Sequence, residues 1–250
     1  MEAILEYNGQ SLVVDFSAPI DISLPLCSGK GNVEAFYLPS PNFSPFRYGN
    51  TVLSTREGGG CNCEVLTIAP HGNGTHTECV GHISQEVITI NQCLKEFVFF
   101  AELVTILPTE VSEDRVITMQ TLASCMKLST KALVIRTLPN EQEKMSVQYS
   151  GTNPIYLEHE AATYLRERGI EHLILDVPSV DREEDGGVLR AHHEYWQYPE
   201  NPRLNATITE LAFIPNDIPD GLYMLNIQIA SLETDASPSK PVLYAVRPAL

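Results

Sequence analysis

ALVIRT (residues 132–137), LEHEAATYLRERG (157–169) and IEHLILDV (170–177) follow one another in this sequence. The first and last segments are short, apolar and bounded by polar residues, which is typical of buried strands. The apolar positions of the middle segment fall on one helical face, and Gly169 ends that helix as a C-cap. Strand, helix and strand in this order predict a parallel βαβ crossover.

The remaining hydrophobic segments predict more strands than helices. We therefore expect one α/β domain with a mixed sheet, spanning residues 1–250. Further strands are predicted at residues 11–16, 64–69, 97–107, 206–213, 224–229 and 240–246, a short helix at 119–126, and a long loop with short strands at 31–62.

Composition narrows the class of protein. The chain has 250 residues, 43% of them hydrophobic, and a formal net charge of -16. It can therefore build a core, and its charge argues against nucleic acid and against an anionic membrane surface as partners. Its start shows no signal peptide, and no window reaches the length of a membrane span. We expect a cytoplasmic protein that acts on a small molecule.

Six scattered cysteines fit the same picture, because reduced thiols are the default in the cytoplasm. Cys61 and Cys63 have C-x-C spacing, but no second pair completes a zinc knuckle. We expect both to be buried or strand residues rather than metal ligands.

The chemistry concentrates in PHGNGTHTECVGH, residues 70–82, which holds three histidines and one glutamate. Imidazole and carboxylate are natural ligands for zinc or manganese. The spacing does not fit a metal-binding helix, and the glycines allow a loop to bring the side chains together. The segment predicts a metal site carried by a loop.

Each residue of this segment has a predicted role. His76 and Glu78 stand two apart, so in extended backbone both point the same way as a ligand pair. His82 lies close enough to act as an acid/base, and His71 could swing in as a further ligand. The alternatives are that these side chains only satisfy backbone groups, or that Cys79 is a nucleophile.

A second group of candidates lies in the C-terminal third. His192 and His193 are adjacent, so in a strand they would point to opposite faces and one of them would serve. Glu210 sits in an apolar run, where a buried carboxylate needs a partner or a metal. Its alternative is a solvent-facing strand position. His159 and His172 are predicted to be surface or packing residues.

The sequence also resembles a known family. Residues 74–82, GTHTECVGH, are similar to the HxGTHxDxPxH signature of the cyclase-family metal-dependent hydrolases, which include bacterial kynurenine formamidase and isatin hydrolase. Further matches occur in the same order along nearly the whole chain. They are VDFSAPI (14–20), ALVIRT (132–137), LDVPSVD (175–181), ITEL (208–211), Gly221 and the Ser237-Pro238 pair.

The resemblance implies a swivelling β/β/α fold, a homodimer or larger assembly, and one or two zinc or manganese ions. It makes His76 and Glu78 metal ligands and His82 the general acid/base. It completes the metal shell with Glu210 and one of the paired histidines, of which His193 aligns slightly better than His192.

Three positions depart from the family signature. The family's first histidine corresponds to Gly72, so His71 is one place off and serves as a ligand only if the loop bulges. Glu78 replaces the usual aspartate and is one methylene longer, and Val80 replaces a proline.

The implied reaction is hydrolysis of an amide, formamide or lactone in a small molecule, of the arylformamidase type. The metal lowers the pKa of a bound water, and His82 moves the proton to the leaving group. The alternatives are a metal-free relative that only binds a small molecule, and a metal-dependent lyase.

Overall fold

The computed structural model describes residues 1–249. Its strands are β1 (Glu2–Tyr7), β2 (Gln10–Asp15), β3 (Ile20–Asp21), β4 (Asn42–Pro45), β5 (Arg47–Tyr48), β6 (Thr51–Val52), β7 (Glu64–Thr67), β8 (His76–Glu78), β9 (Val98–Ile106), β10 (Thr109–Val111), β11 (Asp114–Ile117), β12 (Ala132–Thr137), β13 (Tyr156–Leu157), β14 (His172–Leu175), β15 (Thr207–Glu210), β16 (Gly221–Ile229) and β17 (Ala236–Pro248). Its α-helices are α1 (Pro70–Asn73), α2 (Ile90–Cys93), α3 (Met119–Cys125), α4 (His159–Glu167) and α5 (Arg190–Trp196).

A closed, barrel-like sheet forms the centre of the molecule. Its strands follow the order β17-β16-β9-β12-β14-β15-β8, and β8 pairs back onto β17. The four strands β9, β12, β14 and β15 run parallel to one another, whereas β8, β16 and β17 pair antiparallel with their neighbours. β1 and β2 extend the sheet from β17. The predicted α/β fold with a mixed sheet is confirmed.

The βαβ unit is present as predicted. β12 and β14 are parallel, with Ala132 opposite His172, and α4 connects them. The helix begins at His159, later than the predicted segment, because residues 156–157 pair with β11 instead. Gly169 follows with a φ of 79°, the left-handed conformation expected of a C-cap glycine.

Alternation along the parallel strands separates two apolar layers. In β12, Leu133 and Ile135 pack against the side that carries α3, α4 and α5. Val134 belongs to the cluster on the opposite face, with Leu225 of β16 and Ile90 of α2. β12 and β14 are buried on both faces, and the central segments LVI of β12 and LIL of β14 are continuously apolar, as is typical of parallel sheets.

The prediction for Cys61 and Cys63 was wrong. Both side chains are exposed and free, and they lie in the loop that precedes β7. β7, which follows this loop, is exposed at all four of its residues. Among residues 1–249, no helix is long and apolar enough to cross a membrane.

Candidate metal centre

β8 closes the barrel and carries the centre of the site. Its three residues are fully buried between β15 and β17. His76 and Glu78 point to one face, as the spacing predicted, while Thr77 points to the other and bonds Thr209 at 2.7 Å. Glu210 lies directly opposite His76 in the register, which brings its Oε2 to 3.4 Å from His76 Nε2. The sheet therefore holds two carboxylates and an imidazole together.

Two buried atoms of this group lack a well-aligned hydrogen-bond partner. His76 donates its Nδ1–H to the Gly74 carbonyl at 3.0 Å, so Nε2 is the ring nitrogen that faces the cluster. That Nε2 and Glu78 Oε2 are both buried and make no well-aligned hydrogen bond within residues 1–249, although His71 Nδ1 lies 3.1 Å from Glu78 Oε2. An unsatisfied buried polar atom costs about 1–3 kcal/mol. A divalent cation would satisfy both atoms at once.

His71 reaches the cluster of His76, Glu78 and Glu210 because the loop before β8 forms a single helical turn, α1. α1 is a single turn that starts at Pro70, and it places His71 Nδ1 3.1 Å from Glu78 Oε2. Gly72 could not hold the histidine that the family signature places there. A Cβ on Gly72 would lie 2.6 Å from the Ala35 carbonyl oxygen and 2.8 Å from Leu38 Cδ1. The structure thus brings the displaced histidine, His71, into the cluster.

The paired histidines behave differently from the prediction. They lie on helix α5 and not on a strand. His192 is buried, and its Nε2 is 3.1 Å from Glu78 Oε1. His193 points elsewhere, with Nδ1 2.9 Å from the Tyr198 carbonyl oxygen. Successive residues of a helix diverge by about 100°. The structure therefore brings His192 to the cluster in place of the predicted His193.

Asp181 fixes His192 and was missed in the sequence. Its carboxylate accepts hydrogen bonds from the backbone N–H groups of Ala191 and His192, at 2.7 and 3.1 Å. It also contacts His192 Nδ1 at 2.6 Å, so Nε2 is turned toward Glu78. A carboxylate behind a histidine is the usual support of a metal ligand. The available signal was that Asp181 ends the segment LDVPSVD, which resembles the family.

His82 lies at the edge of the cluster, where the cavity begins. Its Nδ1 is 3.9 Å from Glu78 Oε2 and 3.4 Å from Asp235 Oδ2. Its ring stacks on that of His71, with centroids 4.3 Å apart. Asp235 was also missed in the sequence. It stands two residues before Ser237-Pro238, a pair that resembles the family, and that proximity was the only signal.

The charges of the cluster are strongly coupled. Burial opposes the charged form of His71, but Asp235 and Glu78 outweigh it and raise the pKa of His71 to about 10. Burial likewise opposes a charge on His192, yet Asp181 and Glu78 raise its pKa to about 10. Burial also favours the neutral acid at Glu78, but His82 and the other histidines hold its pKa well below the ordinary value. The carboxylates thus attract positive charge, which a metal ion could supply in place of protons.

The donors suit a divalent metal. Three groups of three side chains, each with ligand atoms within 4.8 Å of one another, share members of this cluster. Mixed imidazole and carboxylate donors fit zinc or manganese. The groups are His71, His76 and Glu78; His71, His82 and Asp235; and Glu78, His82 and His192.

A cavity of about 420 Å³ opens from the cluster. Phe36 and Leu38 supply apolar surface to its lining, and Arg182 and residues of the glycine-containing loop 183–187 line it as well. His82 lines the cavity as well. This volume fits a small molecule rather than a polymer.

Known proteins resemble this chain over most of its length. The family model described as putative cyclase matches residues 14–182. The kynurenine formamidase of Bacillus cereus is 27% identical over 231 residues, covering 91% of this chain and 97% of that protein. The kynurenine formamidase of Bacillus thuringiensis is 28% identical with the same coverage.

Solved structures share the fold. A potential metal-dependent hydrolase with cyclase activity superposes with a TM-score of 0.67 at 18% identity, covering 92% of this chain and 99% of that one. An isatin hydrolase bound to the product analogue thioisatinate gives a TM-score of 0.63 at 15% identity, covering 92% of each chain. The family model covers more than half of this sequence, including the histidine segment and β8, and the chain therefore belongs to the putative cyclase family.

Proposed function

We propose that this protein is a metal-dependent hydrolase that cleaves an amide, formamide or lactone bond in a small molecule, with the C–N bond of an aryl formamide as the best candidate. The observation that carries this proposal is the pair of buried atoms His76 Nε2 and Glu78 Oε2, which make no well-aligned hydrogen bond and belong to the cluster whose members His71, His82, His192 and Glu210 line the cavity. The similarity to kynurenine formamidases supports the same reaction class.

The metal site would consist of His71, His76 and Glu78, with His192 and Glu210 beside them. A bound zinc or manganese ion would supply a water of lowered pKa and polarise the carbonyl of the substrate. The hydrogen bond that His76 Nδ1–H donates to the Gly74 carbonyl leaves Nε2 for the metal, so the site is arranged before any ion enters.

His82 is the residue placed to move a proton. It lies between the buried cluster and the cavity, with a side chain that is 28% exposed. From there it can take a proton from the attacking water and return it to the leaving nitrogen. Phe36 and Leu38 would exclude water from one side of the substrate, and no covalent enzyme intermediate is needed.

Cys79 is poorly suited to the alternative role of nucleophile. Its side chain is fully buried, and its Sγ lies 3.7 Å from the Ile88 carbonyl oxygen. The neighbouring Cys93 and burial raise the pKa of the Cys79 thiol, whereas a nucleophilic cysteine needs a lowered pKa.

Elemental analysis and an activity assay test the proposal together. The purified protein should hold near-stoichiometric zinc or manganese and hydrolyse an aryl formamide, a cyclic amide or a lactone. His192→Ala should lose metal, whereas His193→Ala, its neighbour outside the cluster, should keep it. His82→Ala should keep the metal and lose at least about 100-fold in kcat. Metal-replete protein that hydrolyses none of these substrates would contradict the proposal.

Further properties are part of the same proposal. We propose one domain, because β1 and β17, at opposite ends of the chain, join the same sheet. We propose a homodimer or tetramer, supported by the exposed apolar side chains of Tyr48 in β5, Leu66 in β7 and Phe46 between β4 and β5. A cytoplasmic location is supported by six free cysteines. Light scattering would test the assembly.

A further inference from the structure

Asp235 lies where β8 pairs with β17 and closes the barrel. It immediately precedes β17, whose first residue, Ala236, pairs with Glu78. Its backbone carbonyl accepts a hydrogen bond from Cys79 N–H at 3.1 Å. The antiparallel register of β8 and β17 therefore sets the Asp235 side chain beside the residues that follow Glu78, although the two segments are distant in sequence.

One carboxylate oxygen of Asp235 contacts two histidines. Oδ2 lies 2.8 Å from His71 Nε2 and 3.4 Å from His82 Nδ1. Each of these rings has a second nitrogen. His71 Nδ1 faces Glu78 Oε2 at 3.1 Å, and His82 lines the cavity. Asp235 therefore contacts one nitrogen of each ring, Nε2 of His71 and Nδ1 of His82.

The loop that carries Asp235 is tightly held. Ile90 N–H donates to the Thr234 carbonyl at 2.8 Å, and the Glu233 carboxylate accepts from Thr89 Oγ1 at 2.7 Å. At Gly81, a Cβ would lie 1.9 Å from the Ile88 carbonyl oxygen and 3.4 Å from Asp235 Cβ. Only glycine allows the close approach of residue 81 to the Ile88 carbonyl, which packs this turn against the loop that carries Asp235.

We propose that Asp235 is a positioning residue shared by two functional histidines. It would accept the Nε2–H of His71, so that Nδ1 faces the metal, and the Nδ1–H of His82, so that Nε2 faces the substrate. This inference rests on the proposed function, since it assigns a partner to the metal ligand and to the proton-transfer residue of that site. Removing the carboxylate behind a metal-binding histidine typically weakens metal binding about 10- to 100-fold.

The proposed role of Asp235 behind the metal ligand His71 is tested by zinc affinity, which is measured on the full chain by competition with a chelator. Asp235→Ala should bind zinc about 10- to 100-fold more weakly than the wild type. Asp235→Asn keeps the shape of the side chain and one acceptor oxygen, so its zinc affinity should lie between those of the wild type and Asp235→Ala. Glu233→Gln is the matched control, because it perturbs the same loop without touching a histidine, and its affinity should stay within about twofold.

A double-mutant cycle shows whether the loss of zinc affinity in Asp235→Ala depends on the presence of His71. In a His71→Ala background, adding Asp235→Ala should weaken zinc binding by less than about twofold. For the second histidine, saturation kinetics of the zinc-loaded protein on an aryl formamide should show a lower kcat for Asp235→Asn with little change in KM.

The outcomes are distinct. Zinc affinity of Asp235→Ala equal to the wild type overturns the inference and leaves the proposed function intact. A full loss on adding Asp235→Ala to His71→Ala also overturns it, because Asp235 would then act as a ligand or through the fold. Failure of the wild type itself to bind zinc or manganese overturns the proposed function and this inference with it.

Discussion

His172 offers a prediction whose size follows from the structure. The ring is buried in β14, contacts Phe99 with centroids 3.9 Å apart, and bonds Thr207 Oγ1 at 2.8 Å. Burial, with smaller contributions from Lys131 and Arg203, lowers the pKa of His172 to about 4 from an ordinary 6.5. The folded protein therefore keeps this imidazole neutral at a pH where the unfolded chain protonates it.

The direction and the size of the pH effect on the free energy of unfolding follow from this difference in pKa between the folded and unfolded states. Above pH 7 both states are neutral at His172, so the residue adds no pH dependence. Between pH 6.5 and 4 only the unfolded chain takes up the proton, so acid favours unfolding. Each pKa unit is worth about 1.4 kcal/mol, which gives a loss of about 2 kcal/mol by pH 5 and about 3 kcal/mol at pH 4.

The assay compares the wild type with His172→Gln in urea unfolding at pH 7.5, 6 and 5, with chelator present so that metal release does not contribute. At pH 7.5 the variant should be less stable, because it loses the ring packing. The stability advantage of the wild type should shrink by about 2 kcal/mol between pH 7.5 and 5. An advantage that stays constant over this range would refute the reasoning.

Three further predictions concern other parts of the molecule. Gly72→Ala should lower the free energy of unfolding by about 1–3 kcal/mol in denaturant titrations, because its Cβ would meet a backbone carbonyl, and an unchanged midpoint would contradict this. Lys144→Met should lower the free energy of unfolding by about 3–5 kcal/mol in the same assay, because Lys144 Nζ lies 2.7 Å from Asp176 and its loss leaves a buried carboxylate without its cation. The double variant Lys144→Met with Asp176→Leu should recover part of this lost stability. Zinc at 100 times its Kd should stabilise the wild type by about 2.7 kcal/mol in thermal unfolding and leave Glu78→Ala unchanged, so equal stabilisation of both would count against the site.

The parts of the site that lie on strands were predictable from the sequence. His76 and Glu78 share a face because side chains alternate in extended backbone, and this holds in β8. Glu210 stood out as a carboxylate in an apolar run, and the register places it opposite His76. The βαβ crossover followed from periodicity alone. In each case the information is local to a few residues.

His193 was preferred because it aligns slightly better with the family, yet the structure brings His192 to the cluster. The expectation that only one of the two serves assumed a strand, but these residues form α5, which starts after Leu189 in the left-handed conformation. A short helix of seven residues with two aromatic residues gives a weak periodic signal. One of the two histidines reaches the cluster, and which one does so depends on the direction of the helix.

Asp235 could not have been found from local pattern. Its partner His71 is 164 residues away, and the contact exists only because β8 pairs with β17 to close the barrel. His71 depends on tertiary structure as well, since Ala35 and Leu38 occupy the space beside Gly72 and so exclude a side chain there. Sequence spacing suggests a bulge at this loop but does not determine it.

The central claim is that the buried cluster around β8 is a metal centre. Anomalous diffraction from crystals of the zinc-loaded protein, collected on both sides of the zinc absorption edge, tests it most directly. The account predicts a zinc peak roughly 2.0–2.2 Å from His76 Nε2 and Glu78, and no such peak in crystals of Glu78→Ala. Zinc-loaded crystals with no anomalous peak at this cluster, or with one only at the exposed Cys61 and Cys63, would contradict it.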